Sequence, residues 1–539
     1  MALPTRPSNI GLLYDWFAEL DRPTVMHLDR PFDIAPEAGV RHVGAGLADI
    51  VRDTSAWLYA AGLRHGDRLA IVKDNHYDQV MLAAAAARIG ALPAVLAPLS
   101  SVESVRAMVD RVDPHLVVAS PAMLRRAAAA GTTLSAPGIR TVVVGRGEAP
   151  AGPDLVTPAD LAGAEPPPPN PRRYDEPMIV VHSSGTTGVP KLVVHSARTI
   201  GDKMSRMETM RLPIVDSSPD DVTAISVAFA HGRIVSWTAG QFTRGPKELV
   251  VIADHALDNA ARMLQAHPPT SLEACPNIFQ RWEELAERRP ELFARVRLFI
   301  GTFDAIHPRT VRTFLNASRT RFPVWGQGWG QSEVGPVCIA AFTRRSVRER
   351  PEAVSATSDI GFTLPFLARV KVVDAETGKK VPRGTPGIMM VSTASRCLAY
   401  LGEQDRHDEK VDGRWWNTGD VGQRGRFGRL KLIDREVDIL PGTSGIELES
   451  ILLDRLPTAT EVTVLGVPGR PPVPVLCMRE DTLDPAAWAA ATAGLPELDD
   501  PIVIPWEDVP RTATWKVRRL ELRELVLGTK DKIGTGRWT

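Results

Sequence analysis

Between Ser183 and Lys191 the chain reads Ser-Ser-Gly-Thr-Thr-Gly-Val-Pro-Lys. Glycine lets a backbone turn tightly against a bulky anion. The N–H groups of such a turn and the hydroxyls of Ser183, Ser184, Thr186 and Thr187 can donate to phosphate oxygens, and Lys191 adds a point charge. The segment reads as a phosphate loop. It is not the Walker pattern, because Val189 and Pro190 separate Gly188 from Lys191. Taken alone, it is also what a polar surface turn looks like. Four distant segments weigh against that plain reading. Trp329-Gly330-Gln331-Ser332-Glu333 joins an aromatic that can stack a base to a carboxylate that can ligate Mg²⁺. Trp415-Trp416-Asn417-Thr418-Gly419-Asp420 sets a carboxylate after a Thr-Gly turn, where it can accept from ribose hydroxyls. Asp434-Arg435 is the third, and Pro510-Arg511-Thr512-Ala513-Thr514-Trp515-Lys516 the fourth. Each is weak by itself. Five in one order make coincidence a poor explanation.

Loops of this kind need strands that hold their ends still. The apolar run Met178–Val181 before the phosphate loop reads as a buried strand. Further strand patterns fall at Leu69–Val72, Leu116–Ala119, Thr141–Val144, Val222–Val227, Leu249–Ile252 and Arg297–Ile300. Helical stripes fall at Leu47–Ala61, with Gly62 as its stop, and at Leu257–Ala266, Phe279–Glu287 and Arg309–Ser318. Alternation of this sort predicts an α/β protein with mostly parallel sheets covered by helices. The stiff run Pro166–Pro169 reads as a connector between two subdomains. The residues after Arg435, about one hundred of them, read as a small separate domain.

Composition narrows the function. A chain of 539 residues exceeds one ordinary core, so two or more domains are expected. Lys plus Arg equals Asp plus Glu, 64 against 64, so no basic excess points to nucleic acid. Cys275, Cys338, Cys397 and Cys477 show no CxxC spacing, which argues against a zinc site and a disulfide framework and suits a reducing cytoplasm. The N-terminus has no signal-peptide pattern. The apolar stretch Val80–Leu99 is broken by Arg88, Gly90 and Pro93, so it reads as helix, turn and strand and not as a membrane span.

From the Gly66-Asp67 region to Lys516 the chain resembles the adenylate-forming superfamily: acyl- and aryl-CoA synthetases, luciferases and the adenylation domains of peptide synthetases. That resemblance implies a large N-terminal domain, residues 1–434, and a small mobile α+β C-terminal domain, residues 435–539, with ATP bound between them. It implies that Ser183, Ser184, Gly185, Thr186, Thr187, Gly188 and Lys191 grip the β- and γ-phosphates. Trp329 would lie along adenine, with Gln331 beside it in the nucleotide site. Ser332 and Glu333 would hold the α-phosphate and Mg²⁺, with Thr187 as a second metal ligand. Asp420 and Arg435 would bind ribose, and Lys516 would bridge the attacking carboxylate and the α-phosphate. The activity implied is conversion of a small or aromatic carboxylic acid to an acyl-AMP with release of pyrophosphate. Transfer to CoA or to the thiol of an acyl carrier protein would follow. Relatives on this fold pass the acyl group to an amine instead, or activate nitrite and form a diazo group on an arylamine. A relative that only holds a nucleotide is the non-catalytic alternative.

Three departures from the family pattern bear on these choices. Trp515 stands where the family usually has glycine, just before the lysine, so Lys516 reads either as catalytic or as a solvated neighbour of Arg518 and Arg519. The segment Glu436–Glu449 is about four residues shorter than usual, which weakens the thioester step. The turn Gly384-Thr385-Pro386-Gly387 also differs, a change read as structural. In the acceptor pocket His231 can orient a carboxylate or can be an ordinary hydrogen-bonded histidine. Asp304 reads more readily as a helix cap than as an amine partner. Phe229–Arg233 holds no acidic residue, which disfavours a simple α-amino acid, and Phe229, Phe303 and Trp325 are expected to form a flat apolar slot.

Overall fold

The computed structural model describes residues 5–98, 101–183, 189–209, 216–348, 356–435, 440, 444–467, 469–512 and 514–529. The fold is α/β, and it divides into two compact units. The first comprises residues 1–271, 331–335 and 394–409; the second comprises residues 272–330, 336–393 and 410–539.

The first unit is built on an eight-stranded sheet. Its order is Ala399–Tyr400, Leu192–Ser196, Pro177–His182, Leu92–Leu96, Arg68–Val72, Leu116–Ala119, Thr141–Val143 and Leu155–Val156. From Pro177–His182 onward the neighbouring strands pair parallel. Such strands are covered on both faces, which explains their unbroken apolar runs: Leu69, Ala70, Ile71 and Val72 are wholly buried. Helix Gly44–Ala60 uses the predicted stripe and stops where Gly62 takes φ +111°. Helix Asp78–Ile89 ends at Gly90 with φ +89°, and Leu92–Leu96 follows as a strand, so the apolar stretch folds as expected. A second strand group in this unit runs Val222–Ser226, Glu248–Val251, Val25–Leu28 and Arg41–His42. The proline run does not link two subdomains. It joins Leu155–Val156 to Pro177–His182, two strands of one sheet. No helix among the described residues is long and apolar enough to cross a membrane.

The second unit begins as a parallel sheet and continues antiparallel. Leu298–Gly301 lies parallel to Val324–Gln331. Asp359–Thr363, Leu430–Arg435, Trp415–Arg424, Gly387–Thr393 and Ala368–Val373 then pair antiparallel in that order. Its C-terminal part has helix Gly445–Arg455 and the three-stranded sheet Ala459–Leu465, Val473–Met478 and Ile502–Val503. Leu448, Leu452, Val462 and Leu476 form a core of their own there. Arg309 on helix Pro308–Ala317 meets this part, donating to Leu453 O at 2.8 Å and Ala459 O at 2.7 Å. Asn277 adds a buried bond to Glu461 at 2.7 Å.

Candidate active site

The phosphate loop leaves strand Pro177–His182 and returns on strand Leu192–Ser196, an antiparallel pair in which His182 faces Leu192. Two hydrogen bonds close its neck: Ser183 N donates to Lys191 O at 2.9 Å, and Lys191 N donates to Ser183 Oγ at 3.1 Å. Ser184, Gly185, Thr186, Thr187 and Gly188 lie outside the described residues. The Lys191 ammonium sits 5.2 Å from the centre of the Tyr400 ring. Tyr400 in turn donates its hydroxyl to the buried Glu333 carboxylate at 2.6 Å. Burial, and then the negative charge of Glu333, push the Tyr400 phenol far above its ordinary range, so it keeps its proton as the donor.

Ser332, the next residue back, is gripped twice. His195 Nε2 donates to its carbonyl oxygen at 2.8 Å, while His195 Nδ1 meets Thr199 Oγ1 at 3.0 Å. Burial drives His195 down to about 4, so the imidazole is neutral near pH 7. His231 reaches the Ser332 hydroxyl. Its Nδ1 accepts from Arg233 N–H at 3.0 Å, which leaves the proton on Nε2, and Nε2 lies 3.1 Å from Ser332 Oγ. His231 is thus hydrogen-bonded and also part of the site cluster.

The His231 loop is held from below. Asn75 accepts from Phe229 N at 2.8 Å and donates to Val227 O at 3.0 Å. Asn75 follows Lys73, whose wholly buried ammonium pairs with Asp33 at 2.7 Å and Asp78 at 2.6 Å. Burial works against ionisation of Asp78, but Lys73 and then His76 outweigh it and hold the carboxyl well below its usual range. The first unit therefore brings Ser183, Lys191, His231, Ser332 and Glu333 together, with Gln331 half-buried next to Ser332.

The second unit carries the remaining residues. Trp329 is buried near the end of strand Val324–Gln331. Asp420 is buried on Trp415–Arg424, directly opposite Arg435 on the neighbouring strand. Gly419 takes φ +70° in the Thr-Gly turn, and Asp420 N donates to Thr418 Oγ1 at 3.1 Å. The shortened segment after Arg435 lies outside the described residues for 436–439 and 441–443.

Lys516 sits in a tight reversal. Arg511 bridges antiparallel to Val517, Thr512 N donates to Lys516 O at 2.7 Å, and Lys516 N donates to Thr512 Oγ1 at 3.2 Å. Trp515 takes φ +65°, a left-handed conformation that glycine adopts freely. The tryptophan thus holds a backbone shape that glycine reaches at least cost. Its ring stacks on Trp506 at 5.9 Å and 16°, and the Arg511 guanidinium covers Trp506 at 4.1 Å. Arg511 also forms a buried ion pair with Glu461.

Lys516 Nζ lies 3.8 Å from Asp304 Oδ1. Asp304 is not a helix cap. His307 occupies the cap position of helix Pro308–Ala317, and Asp304 Oδ1 accepts instead from Ala305 N at 3.0 Å. The loop ahead of this helix is strained, with Phe303 at φ +85°. Thr302 donates to the buried Glu273 carboxylate at 3.2 Å. Trp325 is wholly buried against Phe279 at 4.6 Å and Phe299 at 5.9 Å, so its ring belongs to an aromatic core. Tyr400, His195, Asn75 and Glu273 were not found from the sequence, because none lies in a motif. Only packing shows which residue each one supports.

The chain belongs to the AMP-binding enzyme family, whose model matches residues 27–401. It is an enzyme of that ligase family, whose members use ATP and Mg²⁺. It is 34% identical over 542 residues to the 3-amino-2-hydroxy-4-methoxybenzoate diazotase of Streptomyces cremeus, covering 97% of this chain and 96% of that protein. It is 24% identical over 464 residues to a 4-coumarate–CoA ligase-like protein of Oryza sativa subsp. japonica, covering 84% and 81%. In fold it is similar to an anthranilate CoA ligase solved with anthranoyl-AMP: TM-score 0.77, 18% identity, 98% of this chain and 100% of that one.

Proposed function

We propose that this protein activates nitrite with ATP and forms a diazo group on an amino-bearing aromatic acid. The observation that carries this reading is the identity of 34% with a diazotase over almost the whole of both chains.

In this reaction a nitrite oxygen attacks the α-phosphorus and pyrophosphate leaves. The arylamine nitrogen then attacks the nitrosyl nitrogen and AMP leaves with the P–O bond intact. Loss of water from the resulting N-nitroso compound, by way of its diazohydroxide tautomer, gives the diazo group. In this reading Ser183, Ser184, Gly185, Thr186, Thr187, Gly188 and Lys191 hold the β- and γ-phosphates. Trp329 and Gln331 hold the base, and Asp420 and Arg435 the ribose. Ser332 and His231 orient the reacting oxygens. Mg²⁺ would supply charge neutralisation, and Glu333 and Thr187, hard oxygen donors of the kind it prefers, would hold it. Residues 435–539 act as a mobile domain, and Lys516 completes the site on closure by offsetting the repulsion between two anions. Four buried free thiols suit a reducing cytoplasm.

The second reading is acid–thiol ligation: an acyl-AMP passed to CoA or to an acyl carrier protein. The similarity to the coumarate–CoA ligase-like protein favours it. Pyrophosphate release separates the two. The expected result is release that requires nitrite, with a diazo product trapped by azo coupling when an aminobenzoate is present. Release supported by carboxylic acids without nitrite would overturn the diazotase reading. Lys516→Ala is expected to lower turnover on the order of 100-fold or more, the scale of losing one preorganised charge-stabilising group.

A further inference from the structure

We propose that His27, Glu248 and His267 form a binding site for one divalent transition-metal ion of the zinc type, in the first unit and apart from the nucleotide machinery. The three offer ligand atoms that all lie within 4.8 Å of one another. His267 Nδ1 is 3.0 Å from Glu248 Oε2, and His27 Nε2 is 3.5 Å from the same oxygen. Two imidazoles and a carboxylate are the donor set that zinc takes in sites with an open fourth position. With zinc–nitrogen bonds of about 2.0–2.1 Å, a tetrahedral ion holds its ligand atoms about 3.3 Å apart. The two separations to Glu248, 3.0 and 3.5 Å, lie on either side of that spacing. The imidazole rings stack at 3.9 Å and 28°, so binding requires them to rotate until their lone pairs converge.

The local fold explains the trio. Val25 pairs with Glu248 and His27 with Val250 in a parallel register. Residues two apart on a strand share a face, so His27 and Glu248 point to the same side of the sheet. His267 ends helix Leu257–Ala266 and brings its ring to that side. The three side chains keep 18%, 20% and 23% of their exposure, enough for an ion to enter from solvent. Arg41, opposite His27 on the edge strand, and Lys247, 3.8 Å from Glu248 Oε1, are the nearby cations. Glu248 is the one carboxylate of the trio.

Glu248 opens its strand, so the trio sits at the amino end of Glu248–Val251. Ligands of open α/β sheets bind at carboxyl ends. The ion would act as a clip joining two strands and a helix end, not as a reactant. The test is Co²⁺ titration of the full-length protein after chelator treatment, read by visible absorption and metal content. One Co²⁺ per chain, displaced by Zn²⁺, is expected, with a rise in Tm. His27→Gln/His267→Gln should weaken binding at least about tenfold, the lower end of the loss caused by removing even an outer partner of a metal ligand. Glu248→Gln, which keeps the side-chain shape, should do the same, and pyrophosphate release should stay unchanged in both. Absence of stoichiometric uptake by the parent protein at micromolar Co²⁺, or equal uptake by folded variants, would overturn the proposal.

Discussion

Trp515 holds a backbone shape that a side chain normally avoids. The left-handed conformation costs roughly 1–2 kcal/mol for an L-residue. The stack on Trp506 returns about 0.5–1.5 kcal/mol of that. Substitution separates the two effects. Trp515→Ala keeps the strain and loses the stack, so it should destabilise by about 0.5–1.5 kcal/mol. Trp515→Gly loses the stack but relaxes the strain, so it should be the milder change, within about 1 kcal/mol of the parent. Denaturant melts of both variants check the order; a more damaging glycine would show that strain is not the governing effect. At this scale the sequence was legible where chemistry is local. Ser332, Glu333 and Lys516 stand in recognisable strings. Tyr400 was not legible, because its bond to Glu333 joins residues 67 apart in the chain. Asp304 was misread because its place before a proline-led helix looked like a cap, whereas His307 takes that place.

At the scale of elements, the parallel strands were legible and the antiparallel ones less so. Strands buried on both faces write continuous apolar runs such as Leu116–Ala119, which only a strand or a buried helix explains. Ala368–Val373 and Gly387–Thr393 have mixed or glycine-led patterns, and their pairing comes from register across a turn. The proline run was misjudged for a related reason. Stiffness is visible in sequence, but which strands it joins is a matter of sheet order. Close packing adds constraints of its own. The π-helical segment Ala197–Met204 follows strand Leu192–Ser196 and is capped by Ser196. Inside it, a Cβ on Gly201 would lie 1.8 Å from Ser8 O. Gly201→Ala should therefore cost about 1–3 kcal/mol or more through overpacking, measured as a lower urea midpoint at unchanged slope.

For the molecule as a whole, acid stability follows from two buried imidazoles, one in each unit. Burial holds His195 at about 4, and burial with the Arg309 charge holds His307 at about 4 while Asp304 pulls the other way. An exposed histidine in the unfolded chain takes its proton near 6.5. Between pH 6.5 and 4 the unfolded chain therefore binds more protons than the folded one, and stability falls as pH falls through that window. Each histidine contributes about 3 kcal/mol across it, at 1.36 kcal/mol per unit. Urea melts at pH 7 and pH 5 are expected to show the loss, and His195→Gln should shrink it. A flat profile would mean that these rings are charged in the folded state.

The four free thiols have a consequence of a different kind. Cys275, Cys338, Cys397 and Cys477 are all buried, and burial raises the last three above the ordinary thiol range. An alkylating reagent attacks the thiolate and must reach it, so the native molecule should resist labelling. Cys397 belongs to the first unit and the other three to the second. The order in which these sulfurs become modified would then work as an internal clock, recording which half of the protein loosens first under heat or denaturant.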